Sequence, residues 1–300
     1  MIHIEQFTFN SFQTRCSVVW DDTLSCAIVD PGCSTPAEIA QLTSFITGRG
    51  LKPVCIMLTH GHFDHVLGVA ELAAWAAGAT DVPSVPVYMH PADKATLANN
   101  EYFSKWFGAP LPAAFETVDI CEGGCSSDGS GDGSGNGSGD GSGVGSGDGS
   151  GDGSGDGSGD GSGDGSGDGS GDGSGFGGVV SGTDGTSVED CGSDGPVSVI
   201  EVGNLRFKVI ETPGHTPGGV SYYEAAEKVL FSGDSLFAGA IGRTDHPGGD
   251  YDQLMRSILE KLVTLDGSVS VIPGHGPCTD IATEGMTNPF LLPFNEPFEG

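Results

Sequence analysis

Basic residues are scarce in this chain. Its 300 residues include 11 Lys and Arg against 41 Asp and Glu, which gives a formal net charge of −30. So acidic a chain binds phosphate backbones and anionic membrane surfaces poorly, because like charges repel. The sequence also lacks an apolar run near the roughly 20 residues of a membrane helix, and it does not begin with the basic and apolar segments of a signal peptide. We therefore expect no nucleic-acid partner, no membrane partner and a cytoplasmic location.

Eight cysteines are present, and most lie in apolar, strand-like runs. A thiol in such a run behaves as a small apolar side chain, and without an export signal we expect it to stay reduced. Cys121, Cys125 and Cys191 flank a low-complexity segment and offer metal-ligand atoms. Their Cys-x-x-x-Cys pair has no matched second pair, so we favour loop residues over a metal clip.

Residues 122–196 are almost entirely Gly, Ser and Asp. They hold 32 of the 53 glycines, 15 of the 41 acidic residues and no Lys or Arg, and residues 128–175 are twelve tandem tetrads, ten of them Asp-Gly-Ser-Gly. With almost nothing apolar to bury, this segment is predicted to be a flexible insert. Its Asp spacing does not match a calcium-binding EF-hand loop. We expect residues 1–121 and 197–300 to form a single domain, because 225 residues suffice for one sizeable core.

Short apolar runs and helical periodicity outline the secondary structure. Strands are predicted at residues 2–9, 16–20, 24–30, 53–58, 85–89, 197–202, 205–211, 220–224, 229–232 and 269–272. Helices are predicted at 36–50, 65–77 and 251–265, with a short helix after Pro91. Each half therefore begins with strands and continues with strand–helix units. This order predicts two sheets that pack together with helices outside them.

Five of the eight histidines lie in three short segments, each after a strand-like run. The chemistry-bearing residues are His60, His62, Asp64 and His65 on one loop, followed along the chain by His215, Asp234 and His275. Imidazole nitrogens and carboxylate oxygens are preferred ligands of zinc, iron and manganese. Four such groups on one short loop cannot all reach one tetrahedral ion without strain, so the spacing favours two divalent metal ions. Asp30, which ends another strand, is expected to contact one of these histidines from behind.

The pattern resembles the metallo-β-lactamase superfamily, whose motif is His-x-His-x-Asp-His followed by a single His, a single Asp and a last His. The resemblance implies an α/β fold, the four-layer αββα sandwich. It also implies one metal ion held by His60, His62 and His215, a second held by Asp64, His65 and His275, and a bridging Asp234. Zinc is the simplest expectation for both ions, and iron or manganese are alternatives.

Within that superfamily, the segments Thr-Pro-Gly-His-Thr-Pro-Gly-Gly, Phe-Ser-Gly-Asp-Ser and Gly-Arg-Thr-Asp-His are similar to glyoxalase II-like proteins, the hydroxyacylglutathione hydrolases, of the compact single-domain type. The similarity implies hydrolysis of a small-molecule thioester by a hydroxide held between two ions, with Asp64 as a ligand that also relays a proton. Only 25 residues follow His275. We therefore expect no helical C-terminal domain of the kind that helps to hold glutathione in the long form, and the identity of the thiol stays open.

Three other functions stay open. A persulfide dioxygenase of the same superfamily uses one iron and would not need Asp64, His65 or His275 as ligands. A lactonase shares the two-metal motif, so the ligands do not separate it from a thioesterase. A non-enzymatic scaffold is expected to have lost ligands, and all seven are present here.

Two residues in the segment after Asp234 are candidates for substrate binding. Arg243 lies nine residues after Asp234, and in so acidic a chain its guanidinium would be the main attraction for a substrate carboxylate. The alternative is that Arg243 pairs with Asp245 or Asp250 and braces the loop. His246 is expected to line the same pocket.

Overall fold

Two β-sheets form the framework of the chain. The structure is a computed structural model and describes residues 1–80, 82–122 and 197–292. Within these ranges each main sheet has six strands, and a hairpin forms a small third sheet. The predicted flexible insert lies outside the described residues from residue 123 onward, and so do Cys125 and Cys191.

The strands of the first sheet are adjacent in the order of the chain. They are β1 (His3–Phe9), β2 (Thr14–Trp20), β3 (Ser25–Val29), β4 (Lys52–Met57), β5 (Val87–Met89) and β6 (Val118–Asp119). The first three strands are antiparallel neighbours, whereas β3 to β6 are parallel. Short turns join the antiparallel strands, and longer connections that contain helices join the parallel ones.

The second sheet has the order β14-β13-β10-β9-β8-β7. Its strands are β7 (Val199–Val202), β8 (Leu205–Glu211), β9 (Val220–Glu224), β10 (Val229–Gly233), β13 (Ser270–Pro273) and β14 (Thr279–Asp280), and the separate hairpin is β11 (Leu236–Phe237) with β12 (Ala240–Ile241). Strands β7 to β10 are antiparallel neighbours, and β10 is parallel to β13. Strands β8, β10 and β13 therefore point in the same direction.

The helices cover the outer faces of these sheets. They are α1 (Pro36–Arg49), α2 (Phe63–Val66), α3 (Val69–Thr80), α4 (Lys94–Phe107), α5 (Tyr251–Ser257) and α6 (Ile281–Thr287). Helix α1 follows its prediction closely, because Thr35 and Glu38 form a capping box and Gly50 ends the helix at a φ of 68°. None of the helices in the described ranges combines the length and the apolarity that a membrane span requires.

Two predicted helices differ from the observed ones. The helix predicted at 65–77 is divided into α2 and α3, and a Cβ at the intervening Gly68 would lie 2.9 Å from Pro31 O and from Cys33 Cβ. The helix predicted at 251–265 begins as α5 and continues as a π-helical turn over Ile258–Leu262. Both departures depend on contacts with distant segments, which helical periodicity does not report.

Alternating side chains of β3 show how the layers arise. Cys26 and Ile28 face a core that includes residues of α1 and α3, whereas Ala27 and Val29 face the core between the two sheets. A third core, with Leu254 of α5, covers the other face of the second sheet. The layers are therefore helix, sheet, sheet and helix, which confirms the expected αββα sandwich.

Candidate metal centre

The seven predicted metal-binding side chains follow the ends of strands. His60 and His62 follow β4, Asp64 and His65 lie in α2, His215 follows β8, Asp234 follows β10 and His275 follows β13. Because β8, β10 and β13 point in the same direction, their ends meet at one edge of the second sheet. Backbone hydrogen bonds join this edge to the first sheet, since Val220 N donates to Thr59 O (2.9 Å) and Arg15 N donates to Gly274 O (2.7 Å).

The side chains come together in three overlapping groups. We call His60, His62 and His215 the histidine group, and Asp64, His65 and His275 the mixed group; His60, His65 and Asp234 form the third. Within each group the possible ligand atoms all lie within 4.8 Å of one another. Asp234 lies between the two named groups, because its Oδ2 is 3.5 Å from His215 Nε2 and 3.4 Å from His275 Nε2. The structure thus brings all seven predicted residues to one place.

Backbone oxygens fix the orientation of two of the rings. His215 Nδ1 donates to the carbonyl oxygen of Arg243 (2.7 Å), and His275 Nδ1 donates to that of Phe12 (3.1 Å). A carbonyl oxygen only accepts, so Nδ1 of each ring carries the proton and Nε2 faces the centre.

Asp30 contacts two further histidine rings on the side away from the metal centre, one directly and one through Thr59. The sequence predicted one such contact. Asp30 Oδ2 lies 3.1 Å from His65 Nδ1 and also accepts from Thr59 Oγ1 (2.6 Å). The same hydroxyl lies 3.1 Å from His60 Nδ1. Asp30 therefore orients His65 directly and His60 through Thr59.

Two buried polar atoms of the centre, His60 Nε2 and Asp234 Oδ1, make no hydrogen bond with the described residues. His62 faces the centre through Nδ1, which lies 3.0 Å from His215 Nε2. Leaving such atoms unsatisfied is costly unless a cation or water meets them. Converging imidazole and carboxylate atoms are the donor set of a divalent metal ion, so the residues present fit such an ion.

The two groups differ in how readily their histidines carry a proton. Burial lowers the pKa of all three imidazoles in the histidine group, which keeps them neutral. In the mixed group burial also opposes protonation, but the neighbouring carboxylates outweigh it and raise the pKa of His65 to about 9 and that of His275 to about 11. This region of the protein therefore stabilises positive charge, as a cation site requires.

Comparison with known proteins agrees with this geometry. The family model described as the metallo-β-lactamase superfamily matches residues 10–151 and 192–275. The chain belongs to this superfamily. Its members bind divalent metal ions, and the three groups of His and Asp are the candidates for that role here.

Three similar proteins extend over almost the whole chain. Hydroxyacylglutathione hydrolase GloC of Haemophilus influenzae is 26% identical over 298 residues, which cover 97% of this chain and 98% of that protein. The probable metallo-hydrolase YqgX of Bacillus subtilis is 31% identical over 272 residues, which cover 90% of this chain and 89% of that protein. The crystal structure of TTHA1623 in a di-iron-bound form has a TM-score of 0.60 and 26% identity, and the match covers 96% of this chain and 100% of that one.

Two loops of this superfamily member are tied together by a residue that sequence reasoning missed. Asp93 is fully buried. Its Oδ2 accepts from Gly61 N (2.7 Å) and Thr216 Oγ1 (2.9 Å), and its Oδ1 accepts from Gly218 N (2.7 Å). The first donor lies between His60 and His62, and the other two lie directly after His215. Asp93 therefore connects the two loops that carry the histidine group, although no local pattern marks it.

Glycine is required where the backbone passes the centre. A Cβ at Gly274 would collide with Asp234 Oδ1 and would lie 2.7 Å from His65 Cε1. Glycine at position 274 has no side chain, so His275, the next residue after β13, can lie close to Asp234 and His65.

A cavity of about 210 Å³ opens beside the metal centre. Its lining includes Asp64, Asp234 and three of the five predicted metal-binding histidines, together with Arg243, His246 and four phenylalanines. His246 lies in the predicted place, since its ring centroid is 4.9 Å from those of His62 and His215.

Arg243 pairs with Asp245, which is the bracing alternative that the sequence analysis kept beside substrate binding. Its Nε and one terminal nitrogen donate to the two carboxylate oxygens of Asp245, at 2.9 and 3.0 Å. The guanidinium side chain is 73% exposed, so this pair lies in solvent at the mouth of the cavity. Asp250 instead caps α5 by accepting from Gln253 N.

Proposed function

We propose that this superfamily member is a binuclear metal-dependent enzyme that hydrolyses a small-molecule thioester, of the hydroxyacylglutathione hydrolase type. The observation that carries the proposal is the pair of three-residue groups joined by Asp234 beside a cavity. The similarity to hydroxyacylglutathione hydrolase GloC over 97% of the chain supports a thioester as the substrate class.

In the proposed centre, the histidine group would hold one ion and the mixed group would hold the other, and Asp234, which contacts both groups, would serve as a shared ligand. When bound, two such ions supply an activated water at neutral pH and polarise a carbonyl group. Zinc is the simplest choice for His and Asp ligands, with manganese as an alternative. Iron is a further alternative, and the di-iron form of the similar structure TTHA1623 supports it.

Asp64 is proposed to move a proton as well as to bind metal. It lines the cavity, and its Oδ2 accepts from Thr14 Oγ1 (2.7 Å). Burial opposes its ionisation, but His65 and His275 outweigh burial and lower the pKa of Asp64 to about 2, so it is ionised at neutral pH. The carboxylate accepts a proton from the attacking water and passes it to the leaving sulfur as the carbon–sulfur bond breaks. The products are a carboxylic acid and a thiol.

A reducing compartment, the cytoplasm, is part of the proposal. Cys16, Cys26, Cys33 and Cys55 are buried free thiols. Burial raises the pKa of Cys26 to about 12. Protonated thiols inside the apolar cores fit a chain that is kept reduced.

The test combines metal analysis with a turnover screen. Purified protein loaded with zinc or iron is assayed on lactoylglutathione, other thioesters, lactones and glutathione persulfide. We expect two ions per chain and release of thiol from a thioester. One iron per chain with oxygen uptake on the persulfide would instead identify a dioxygenase, and turnover of lactones alone would identify a lactonase.

A further inference from the structure

Three phenylalanines form an aromatic wall on the cavity beside the metal centre. Phe12 comes from the turn between β1 and β2, Phe63 begins α2, and Phe107 ends α4. The Phe12 ring is 5.0 Å from Phe63 and 5.3 Å from Phe107, edge to face in both cases. All three line the cavity. We call this set the aromatic wall.

The turn that carries Phe12 is fixed by Asn10. Its Oδ1 accepts from Phe12 N (2.8 Å), and its Nδ2 donates to the backbone oxygens of Gly32 and Asp64, both at 2.9 Å. The Phe12 backbone oxygen is itself held by His275. The wall is therefore preformed and has a fixed position relative to the metal groups, which lowers the entropic cost of binding a ligand on it.

Phe107 stands out because it is not needed to fill a core. Its residue is 49% exposed at the end of α4, beside the cavity. Exposed aromatic side chains that border a cavity commonly mark a place where an apolar ligand binds.

Away from the metal centre, the cavity lining offers few fixed cationic groups to an anionic ligand. Apart from histidines, the described lining contains one basic residue, Arg243, and Asp245 already occupies its guanidinium. The cavity of about 210 Å³ lies below the roughly 300–1,000 Å³ of pockets that enclose drug-sized ligands. The enclosed part of the cavity fits a group about the size of one ring.

We propose that the substrate carries an uncharged aromatic or branched apolar group, about the size of one ring, and that this group packs on the aromatic wall while the thioester carbonyl lies at the metal centre. The proposal rests on the thioesterase function above. The apolar group belongs to the acyl side or to the thiol side of the thioester, and two substrate series distinguish these sources.

The first experiment measures kcat/KM of the metal-loaded protein. One series keeps N-acetylcysteamine as the thiol and varies the acyl group among phenylacetyl, lactoyl and succinyl. The other keeps acetyl and compares benzyl thiol with N-acetylcysteamine. We expect the apolar member to be favoured by roughly tenfold or more in one of the series, as for contacts in an apolar pocket. Equal or better turnover of the polar members in both series overturns the proposal and leaves the thioesterase function intact.

Variants locate the preference on the aromatic wall. Phe107→Ala and Phe12→Ala should each remove most of the preference by raising KM for the apolar substrate, with little effect on polar ones. Phe107 is half exposed, so its replacement is compatible with folding. Trp106→Ala is the matched control, because Trp106 is a 72% exposed aromatic residue of the same helix that does not line the cavity. An equal loss in the control would contradict the assignment.

A binding measurement tests ligand packing on the aromatic wall independently of catalysis. Calorimetry compares phenylacetate with acetate, which present the same single carboxylate to the metal ions, on the metal-loaded protein and on Phe107→Ala. Tighter binding of phenylacetate that falls about tenfold in the variant supports the aromatic wall. This conclusion holds even if no thioester is cleaved; in that case only the thioesterase function fails. Equal or tighter binding of acetate, or no change in the variant, overturns the proposal.

Discussion

The histidine group and the mixed group lie on either side of Asp234 but treat charge in opposite ways. In the histidine group, burial keeps three imidazoles neutral and leaves His60 Nε2 without a hydrogen bond to the described residues. In the mixed group, Asp64 and Asp234 favour protons on His65 and His275. The first group is thus ready to accept a cation, whereas the second must first release protons.

This difference assigns an order to metal loading. Neutral imidazole is the form that binds metal, and a protonated ring competes with the ion. The histidine group should therefore fill first as pH rises, and the mixed group second. Asp234 is the residue through which the two events interact, because it contacts both groups.

The largest effect is expected from replacing Asp234, the residue that contacts both groups. Asp234→Asn should weaken binding of both ions and lower kcat/KM by roughly a thousandfold, several kcal/mol of lost metal-assisted catalysis. Metal analysis and thioester turnover measure it. Asp252→Asn, an exposed acidic residue of α5, is the control and should behave as the parent. Two tightly held ions in Asp234→Asn would argue against a bridging role.

Removing one ligand of the mixed group should separate the two sites. His65→Ala is expected to lose about one equivalent of metal and to hydrolyse thioesters roughly a hundredfold more slowly, because the histidine group remains. Metal analysis of the variant gives the stoichiometry. A parent that holds one iron and keeps full activity after this change would favour the dioxygenase.

The pH dependence sharpens the comparison. The pKa values of His65 and His275 are raised to about 9 and about 11, so this pair carries a proton near pH 7 before metal binds, although the two Nε2 atoms lie 3.3 Å apart and compete for protons. Uptake of the second ion should release at least one proton, and its affinity should rise with pH by about tenfold per unit for each proton released. Titration in buffers of different ionisation enthalpy measures the release. Equal affinity for both ions at pH 6 and pH 8 would contradict the contrast between the groups.

Asp93 should affect the histidine group more than the mixed group. Asp93→Asn places an amide among four buried donors and should cost about 1–3 kcal/mol of folding free energy, with metal affinity reduced roughly 10- to 100-fold. Thermal unfolding and metal titration separate the two effects. Thr96→Val is the control, because Thr96 also donates to Asp93 but belongs to neither histidine loop. It should lower stability while metal affinity is kept.

The smallest effect concerns Arg243, which binds no metal in either group. If Arg243 attracts a substrate carboxylate, Arg243→Ala should raise KM for a carboxylate-bearing thioester by roughly fivefold, about 1 kcal/mol at this exposed position. Asp245→Ala frees the guanidinium and should lower that KM. Parallel losses in both variants, on charged and uncharged thioesters alike, would leave only the bracing role.

The candidate ligands could be singled out from the sequence because their chemistry and spacing are local, and the structure brings them together. His60, His62, Asp64 and His65 share one loop, and the other three ligands each follow an apolar strand run. The fold class followed from the order of strands and helices together with the resemblance to a known superfamily.

The residues that sequence reasoning missed act through distant contacts. Asp93 meets donors from two distant loops, and Phe12 meets Phe63 and Phe107 only after folding. The two-residue strands β6, β11, β12 and β14 are too short to show a period. The apolar periodicity predicted one helix through Gly68, where the structure has a break between α2 and α3. The close packing of Gly68 against Pro31 causes this break, and a sequence pattern does not report such a contact.

The central claim is that two ions act together in one centre. Metal-free protein titrated with zinc at pH 8, while thioester hydrolysis is followed, tests it most directly. Two equivalents should bind, with little activity after the first and full activity after the second. Activity that saturates at one equivalent per chain would contradict the binuclear account.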